Sequence, residues 1–249
     1  MMNIWLWTIG SVVVISLLSV IGAVGLLLKE KALNRALIYF VSFSAGSLLG
    51  GAFFHLLPES FDLSNDAMMI FGFLVIGFCA FFVLEKVLRW RHCHDHGCHE
   101  HAHIGWMNLI GGSVHNMLDG MVIAAAFMVG PFLGVPVVIS IISHEIPHEL
   151  GDFGVLLYSG FSKSKALLYN FISALFCLLG AVLVLSFANS DKYLEIILLP
   201  IAAGGFIYIA ASDLIPELHK ETSKTHGNFS FALFLVALVM MYFLKILFE

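Results

Sequence analysis

Apolar residues occur along this chain in long runs, and short polar segments between the runs carry most of the charges. A membrane-spanning helix needs about 20 consecutive, predominantly apolar residues. Eight runs meet this requirement, and they predict spans 1 to 8 at residues 4–28, 34–57, 67–89, 105–129, 132–159, 164–187, 193–217 and 228–248. The pattern therefore predicts an all-α polytopic membrane protein whose eight transmembrane helices form a single membrane domain over residues 1–249.

Composition excludes a water-soluble domain and the charge distribution predicts the orientation. Residues are 60% hydrophobic and only 12% charged, whereas soluble domains have about 25% charged residues. With the N-terminus outside, inside loops hold ten cationic residues and the outside holds Lys192 and Lys245. The ten are Lys29, Lys31, Arg35, Lys86, Arg89, Arg91, Lys163, Lys165, Lys220 and Lys224. The positive-inside rule then predicts extracytoplasmic termini. The net charge of −5 says nothing about nucleic acid, and we expect no nucleic-acid partner.

Spans 2 and 7 end on similar sequences, HLLPES at 55–60 and DLIPEL at 213–218. Because the two spans run in opposite directions in the predicted topology, the similarity indicates an inverted repeat, an arrangement common in transporters. His55 and Asp213 occupy equivalent places in it. We therefore expect both residues to line a transport pathway.

Spans 4 and 5 carry acidic residues and histidines in a shared pattern, HNMLD at 115–119 and HEIPH at 144–148, and they lack Lys and Arg. On a helix, positions i, i+1 and i+4 project within a 100° arc, so each span presents its ligand-type side chains on one side, as a fan. Unpaired charges in a bilayer are costly, and a divalent cation between the fans would neutralise them. We expect His115, Asp119, His144 and His148 around one metal, Asn116 and Glu145 at a second position, and Glu149 and Asp152 along the path.

Two other interpretations compete with an ion path. HEIPH has the H-E-x-x-H spacing of zinc metalloproteases, and the LDG aspartate, Asp119, would serve as a third ligand in an intramembrane protease. Alternatively, the polar side chains only hold helices together. Pro147 lies between the two histidines and removes the hydrogen bond to the Ser143 carbonyl. A kinked helix with freed carbonyls suits an ion path better than a catalytic helix, so we favour a transporter and no enzymatic activity.

The loop between spans 3 and 4 is rich in histidine and cysteine, which are zinc ligands. These are His92, Cys93, His94, His96, Cys98, His99, His101 and His103. The topology places this flexible loop in the cytoplasm, where it would receive transported ions or sense their concentration. A membrane zinc sensor without transport is therefore a further alternative.

The motifs HNMLDG at 115–120 and HEIPHELGDF at 144–153 resemble the signatures of the ZIP (Zrt-, Irt-like) metal transporters, in particular the branch with a His-rich loop before span 4. The resemblance covers nearly the whole chain. It implies uptake of divalent cations into the cytoplasm, chiefly Zn²⁺ as transported substrate, with Fe²⁺, Cd²⁺ or Mn²⁺ as further substrates. It also implies alternating access and a mid-membrane site from His115, Asn116, Asp119, His144, Glu145 and His148.

The resemblance further implies a homodimer in the lipid bilayer, and a cell (inner) membrane location if the chain is prokaryotic. The chain departs from some family members at two places. Leu118-Asp119 replaces Pro-Glu, and span 6 lacks the glutamate that completes a second metal site in those members. One well-formed metal site is therefore the expectation.

Overall fold

The computed structural model describes residues 3–25, 30–90, 101–187, 193–219 and 224–248, and these ranges form helices joined by short turns. Four spans are single helices: span 3 is Ala67–Trp90, span 4 is His101–Val129, span 5 is Pro131–Tyr158 and span 8 is Lys224–Phe248. Two spans consist of two helices each: span 1 of Ile4–Leu18 and Ile21–Gly25, and span 6 of Lys163–Ala174 and Phe176–Phe187. Two spans consist of three segments each: span 2 of Glu30–Gly50, Gly51–Leu56 and Leu57–Leu63, and span 7 of Tyr193–Ile209, Ala210–Leu214 and Ile215–His219.

The all-helical prediction with eight spans is confirmed. Seven of the spans are long and apolar enough to cross a membrane. Span 5 has 28 residues, which is also sufficient length, but it carries Glu145, Glu149 and Asp152 in its second half. The polar half of span 5 is therefore the half that carries its share of the predicted site.

Spans 2 and 7 each change from α-helix to a π-helical turn that ends two residues before a proline. The turns are Gly51–Leu56 and Ala210–Leu214, followed by Pro58 and Pro216. Proline lacks the N–H that would continue the α-helical ladder, and a π turn re-pairs the backbone one residue further along. The backbone N–H of Leu57 donates to Ala52 and that of Ile215 to Ala210. The related sequence endings thus produce the same local structure.

Helix packing divides the molecule into two groups of four, spans 2, 3, 7 and 8 and spans 1, 4, 5 and 6. Within the groups, span 2 packs on span 8 and span 3 on span 7, while span 6 packs on spans 1 and 4 and span 5 on spans 1 and 4. The groups meet mainly where span 2 contacts span 5 and where span 7 contacts span 4. Exchanging span 1 with 6, 2 with 7, 3 with 8 and 4 with 5 preserves these contacts, as an inverted repeat requires.

Spans 4 and 6 cross at the level of the predicted site through two glycines. A Cβ atom at Gly120 would overlap the carbonyl oxygen of Cys177, and one at Gly180 would overlap that of Met117. Only glycine permits this backbone approach. The crossing holds span 6 against the turn of span 4 that carries Asp119.

Candidate metal centre

Two histidines and two carboxylates converge in the interior, from neighbouring turns of spans 4 and 5. His115, Asp119, His144 and Glu145 are all buried, and each offers one ligand atom within 4.8 Å of the others. The two Nε2 atoms of His115 and His144 are 3.3 Å apart. His115 and Asp119 share a face of span 4 because they are one helical turn apart, and span 5 presents the adjacent pair.

The carboxylates approach both imidazole rings. The distance from His144 Nε2 to Asp119 Oδ2 is 3.2 Å, and that from His115 Nε2 to Glu145 Oε1 is 3.3 Å. Within the described part of the chain, Asp119 Oδ2 and both carboxylate oxygens of Glu145 nevertheless have no hydrogen-bond partner. Buried acceptors without a donor are costly, and such a group of nitrogen and oxygen atoms can coordinate a cation of the zinc type.

The ring of His144 is oriented by its own helix. His144 Nδ1 lies 3.1 Å from the backbone carbonyl oxygen of Ser140, the residue one turn earlier. When Nδ1 carries the proton and donates to this carbonyl, the Nε2 lone pair faces the cluster, as in metal-binding histidines. The Phe206 ring of span 7 closes another side, 6.2 Å from the His144 ring between centroids.

His148 lies beside the four-residue cluster and outside it. Its ring stacks on that of His115, with centroids 4.6 Å apart and planes at 19°, and its Nδ1 faces Asp152 Oδ2 at 3.6 Å. The sequence pattern predicts His148 around the first metal and Glu145 at a second position. In the structure Glu145 occupies the cluster, while His148 faces a cavity.

This cavity has a volume of about 370 Å³ and lies between the two helix groups. His115, His148 and Asp152 line one side, and Glu85 and Asp213 belong to spans 3 and 7 opposite. Its lining extends from His115 of the cluster to Glu85, Asp152 and Asp213 in spans 3, 5 and 7. Two residues that the sequence placed on the pathway, Asp152 and Asp213, therefore line the same cavity.

The remaining predicted residues have other surroundings. Asn116 is buried; its amide nitrogen donates to the Gly112 carbonyl at 3.0 Å, and its Oδ1 has no partner among the residues that the structure describes. Glu149 is buried and accepts a hydrogen bond from Asn170 Nδ2 of span 6. His55 lies away from the cluster, with Nε2 2.9 Å from the carbonyl oxygen of Met241 in span 8. The expected metal-binding loop 91–103 lies outside the described residues, except for the helical backbone of 101–103.

The Ser143 carbonyl, expected to be freed by Pro147 for a passing ion, has a partner that the sequence analysis missed. The Ser44 hydroxyl of span 2 donates to it, and the helix continues through Pro147. The sequence feature that contains Ser44 is a stripe of small residues in span 2, and such a stripe by itself indicates only close helix packing. Asn170 was also missed, because a single asparagine in an apolar run has no informative spacing.

Comparison with known proteins identifies the family of the chain. The profile of the ZIP zinc transporter family matches residues 2–97 and 90–245. The chain belongs to this family. Members of this family are transporters, which is consistent with the expectation of no enzymatic activity and does not favour the intramembrane protease alternative.

Several curated relatives are similar over most of the chain. It is 32% identical to the zinc transporter ZIP13 of Mus musculus, over 82% of this chain and 68% of the relative. It is 30% identical to the zinc transporter YKE4 of Saccharomyces cerevisiae, over 76% and 63%. It is 28% identical to the metal cation symporter ZIP14 of Xenopus tropicalis, over 94% and 66%. The chain thus spans about two thirds of the length of these relatives.

Proposed function

We propose that this chain carries divalent cations, chiefly Zn²⁺, across a membrane through the cluster of His115, Asp119, His144 and Glu145. The observation that carries the proposal is the convergence of four buried ligand groups from two spans within 4.8 Å. Spans 4 and 5 contain no Lys or Arg that would neutralise the carboxylates. A transported cation supplies this charge and coordinates the acceptor oxygens that lack donors.

The ligand types support zinc as the main substrate. Two imidazole nitrogens and two carboxylate oxygens match the donors and the coordination number of Zn²⁺. Imidazole also accepts Fe²⁺ and Cd²⁺, whereas harder ions such as Mn²⁺ prefer an all-oxygen shell. Asn116 Oδ1 and Glu145 form a second, transient position beside the first, and the absence of a carboxylate in span 6 favours one well-formed site.

The cavity beside the cluster supports the direction of transport. Under the predicted topology, Asp152, Glu85 and Asp213 lie towards the cytoplasmic ends of spans 5, 3 and 7. A cation that leaves the cluster past His148 therefore enters a cavity with acidic walls that leads inward. The histidine-rich loop at 91–103 follows span 3 on the same side, where it would bind the released ion.

The assembly and location follow from the family resemblance. We propose a homodimer in the lipid bilayer, located in the cell (inner) membrane if the source is prokaryotic. The mass of the detergent-solubilised particle, measured by light scattering with the detergent contribution subtracted, distinguishes the dimer from a monomer.

Zinc uptake into liposomes tests the proposed function. The purified protein is reconstituted around a fluorescent zinc indicator, and His144→Ala is compared with His219→Ala, an exposed histidine outside the cluster. We expect uptake by the unmodified protein and by His219→Ala, and a loss of uptake in His144→Ala. Zinc binding with no flux would support the sensor alternative. Cleavage of a membrane substrate that Glu145→Gln abolishes would support the protease.

A further inference from the structure

The seam between spans 2 and 5 joins the two helix groups through hydroxyl groups that donate to backbone carbonyls. Pro147 cannot donate to Ser143, so this carbonyl has lost its usual partner inside span 5. The Ser44 hydroxyl of span 2 donates to the same oxygen. A side chain of one helix group thus replaces the backbone hydrogen bond that proline removes from the other.

A second hydroxyl makes the reciprocal contact one turn away. Ser140 Oγ of span 5 lies 3.0 Å from the carbonyl oxygen of Ser47 in span 2. The pairs 44 with 143 and 47 with 140 have the register of two antiparallel helices, so both bonds belong to one continuous interface. Ser44, Ser47 and Ser140 are completely buried, so bulk solvent does not reach their hydroxyl groups.

These bonds bracket the turn of span 5 that supplies half of the metal cluster. Ser143 directly precedes His144 and Glu145, and the Ser140 carbonyl is the group that orients His144 Nδ1. A shift of this turn relative to span 2 therefore moves two ligand side chains together. Because coordination requires a fixed geometry, the position of this turn affects the affinity for the cation.

Each hydroxyl also has a second acceptor in its own helix. Ser44 Oγ lies 2.6 Å from the Phe40 carbonyl oxygen, and Ser140 Oγ lies 3.1 Å from that of Pro136. A hydroxyl has one proton to donate, so it can return to its own helix when the two groups move apart. The Ser143 carbonyl has lost its backbone donor and therefore depends on Ser44.

We propose that Ser44 is a positioning residue for the metal site, acting through the Ser143 carbonyl that Pro147 leaves without its helical partner. Ser44 holds the turn with His144 and Glu145 in the binding geometry while the interhelical bond is made. The inference rests on the proposed transport of zinc through this cluster and adds a residue from the opposite helix group to it.

A double-mutant cycle between Ser44→Ala and Pro147→Ala tests the inference, since it measures whether the two residues act through one atom. Ser42→Ala is the matched control, because Ser42 is equally buried in the same span but donates to Ile38 of its own helix. The readouts are the KM for zinc uptake in liposomes and, separately, zinc affinity in detergent by chelator competition.

We expect Ser44→Ala to raise the KM and the dissociation constant for zinc by about three-fold or more, the effect of an average interhelical hydrogen bond in membranes. In the Pro147→Ala background, where residue 147 again donates to Ser143, the same substitution has little further effect. Ser42→Ala leaves both quantities unchanged in either background.

Equal effects of Ser44→Ala in both backgrounds would overturn the inference, because they would show that the serine acts through packing alone. An unchanged zinc affinity in Ser44→Ala would overturn it as well. If Pro147→Ala abolishes uptake, the double-mutant cycle measured from zinc affinities in detergent still tests the inference. If the unmodified protein moves no zinc, the proposed transport fails, while these affinities still test Ser44.

Discussion

Replacing Asp119 by asparagine removes one of the two carboxylates of the cluster with almost no change in size. Asp119 is 2% exposed, and its Oδ2 is 3.2 Å from His144 Nε2. Opposite unit charges about 4 Å apart attract by about 4 kcal/mol at an effective dielectric constant of about 20, and a divalent ion doubles this. The asparagine oxygen still coordinates and Glu145 remains, so we expect a loss of about 3 kcal/mol, or about 100-fold in zinc affinity.

Chelator competition in detergent measures this loss. The histidines and cysteines of residues 92–103 are replaced by serine in all samples, so that the loop does not bind zinc. Asp66→Asn is the matched control, because Asp66 is exposed and its carboxylate accepts a hydrogen bond from the Met69 amide at 3.0 Å. If Asp119→Asn binds zinc with the same affinity as Asp66→Asn, then Asp119 does not coordinate the ion and the prediction is wrong.

Three further predictions concern packing, protons and the cavity. Gly120→Ala should destabilise the protein by about 1–3 kcal/mol, because the added Cβ overlaps the Cys177 carbonyl and spans 4 and 6 must separate; thermal unfolding in detergent measures the loss. Zinc uptake should fall between pH 7.5 and 5.5, since ligands must be deprotonated to bind metal; equal uptake at both values would contradict this. His148→Ala should lower the maximal uptake rate more than the zinc affinity, because His148 faces the cavity beyond the cluster; steady-state uptake kinetics separate the two effects.

The eight spans were predictable because membrane helices follow from the length of apolar runs alone. The two π-helical turns also had a sequence signal, since Pro58 and Pro216 stand at equivalent places. Their conformation had to come from the structure, because a proline in a membrane helix is compatible with a kink, a π turn or a partner from another helix. At Pro147 the carbonyl without its helical donor, that of Ser143, is paired by another helix, through the Ser44 hydroxyl.

The set of candidate ligands was readable from sequence, whereas their arrangement was not. A helix places Glu145 about 100° and His148 about 40° from His144, so both lie on the side that faces span 4. The rotation of span 5 about its axis decides which of them joins His115. This rotation depends on the contact with span 2, which involves small side chains and backbone carbonyls and so leaves no distinctive pattern in the sequence.

Anomalous diffraction from crystals of the zinc-loaded protein tests the central claim most directly, because it locates each ion independently of the histidine-rich loop. We expect a zinc peak between His115 Nε2 and His144 Nε2, within coordination distance, about 2.0–2.2 Å, of these nitrogens and of Asp119 and Glu145 oxygens. Zinc peaks confined to other parts of the molecule, with none among these four side chains, would contradict it.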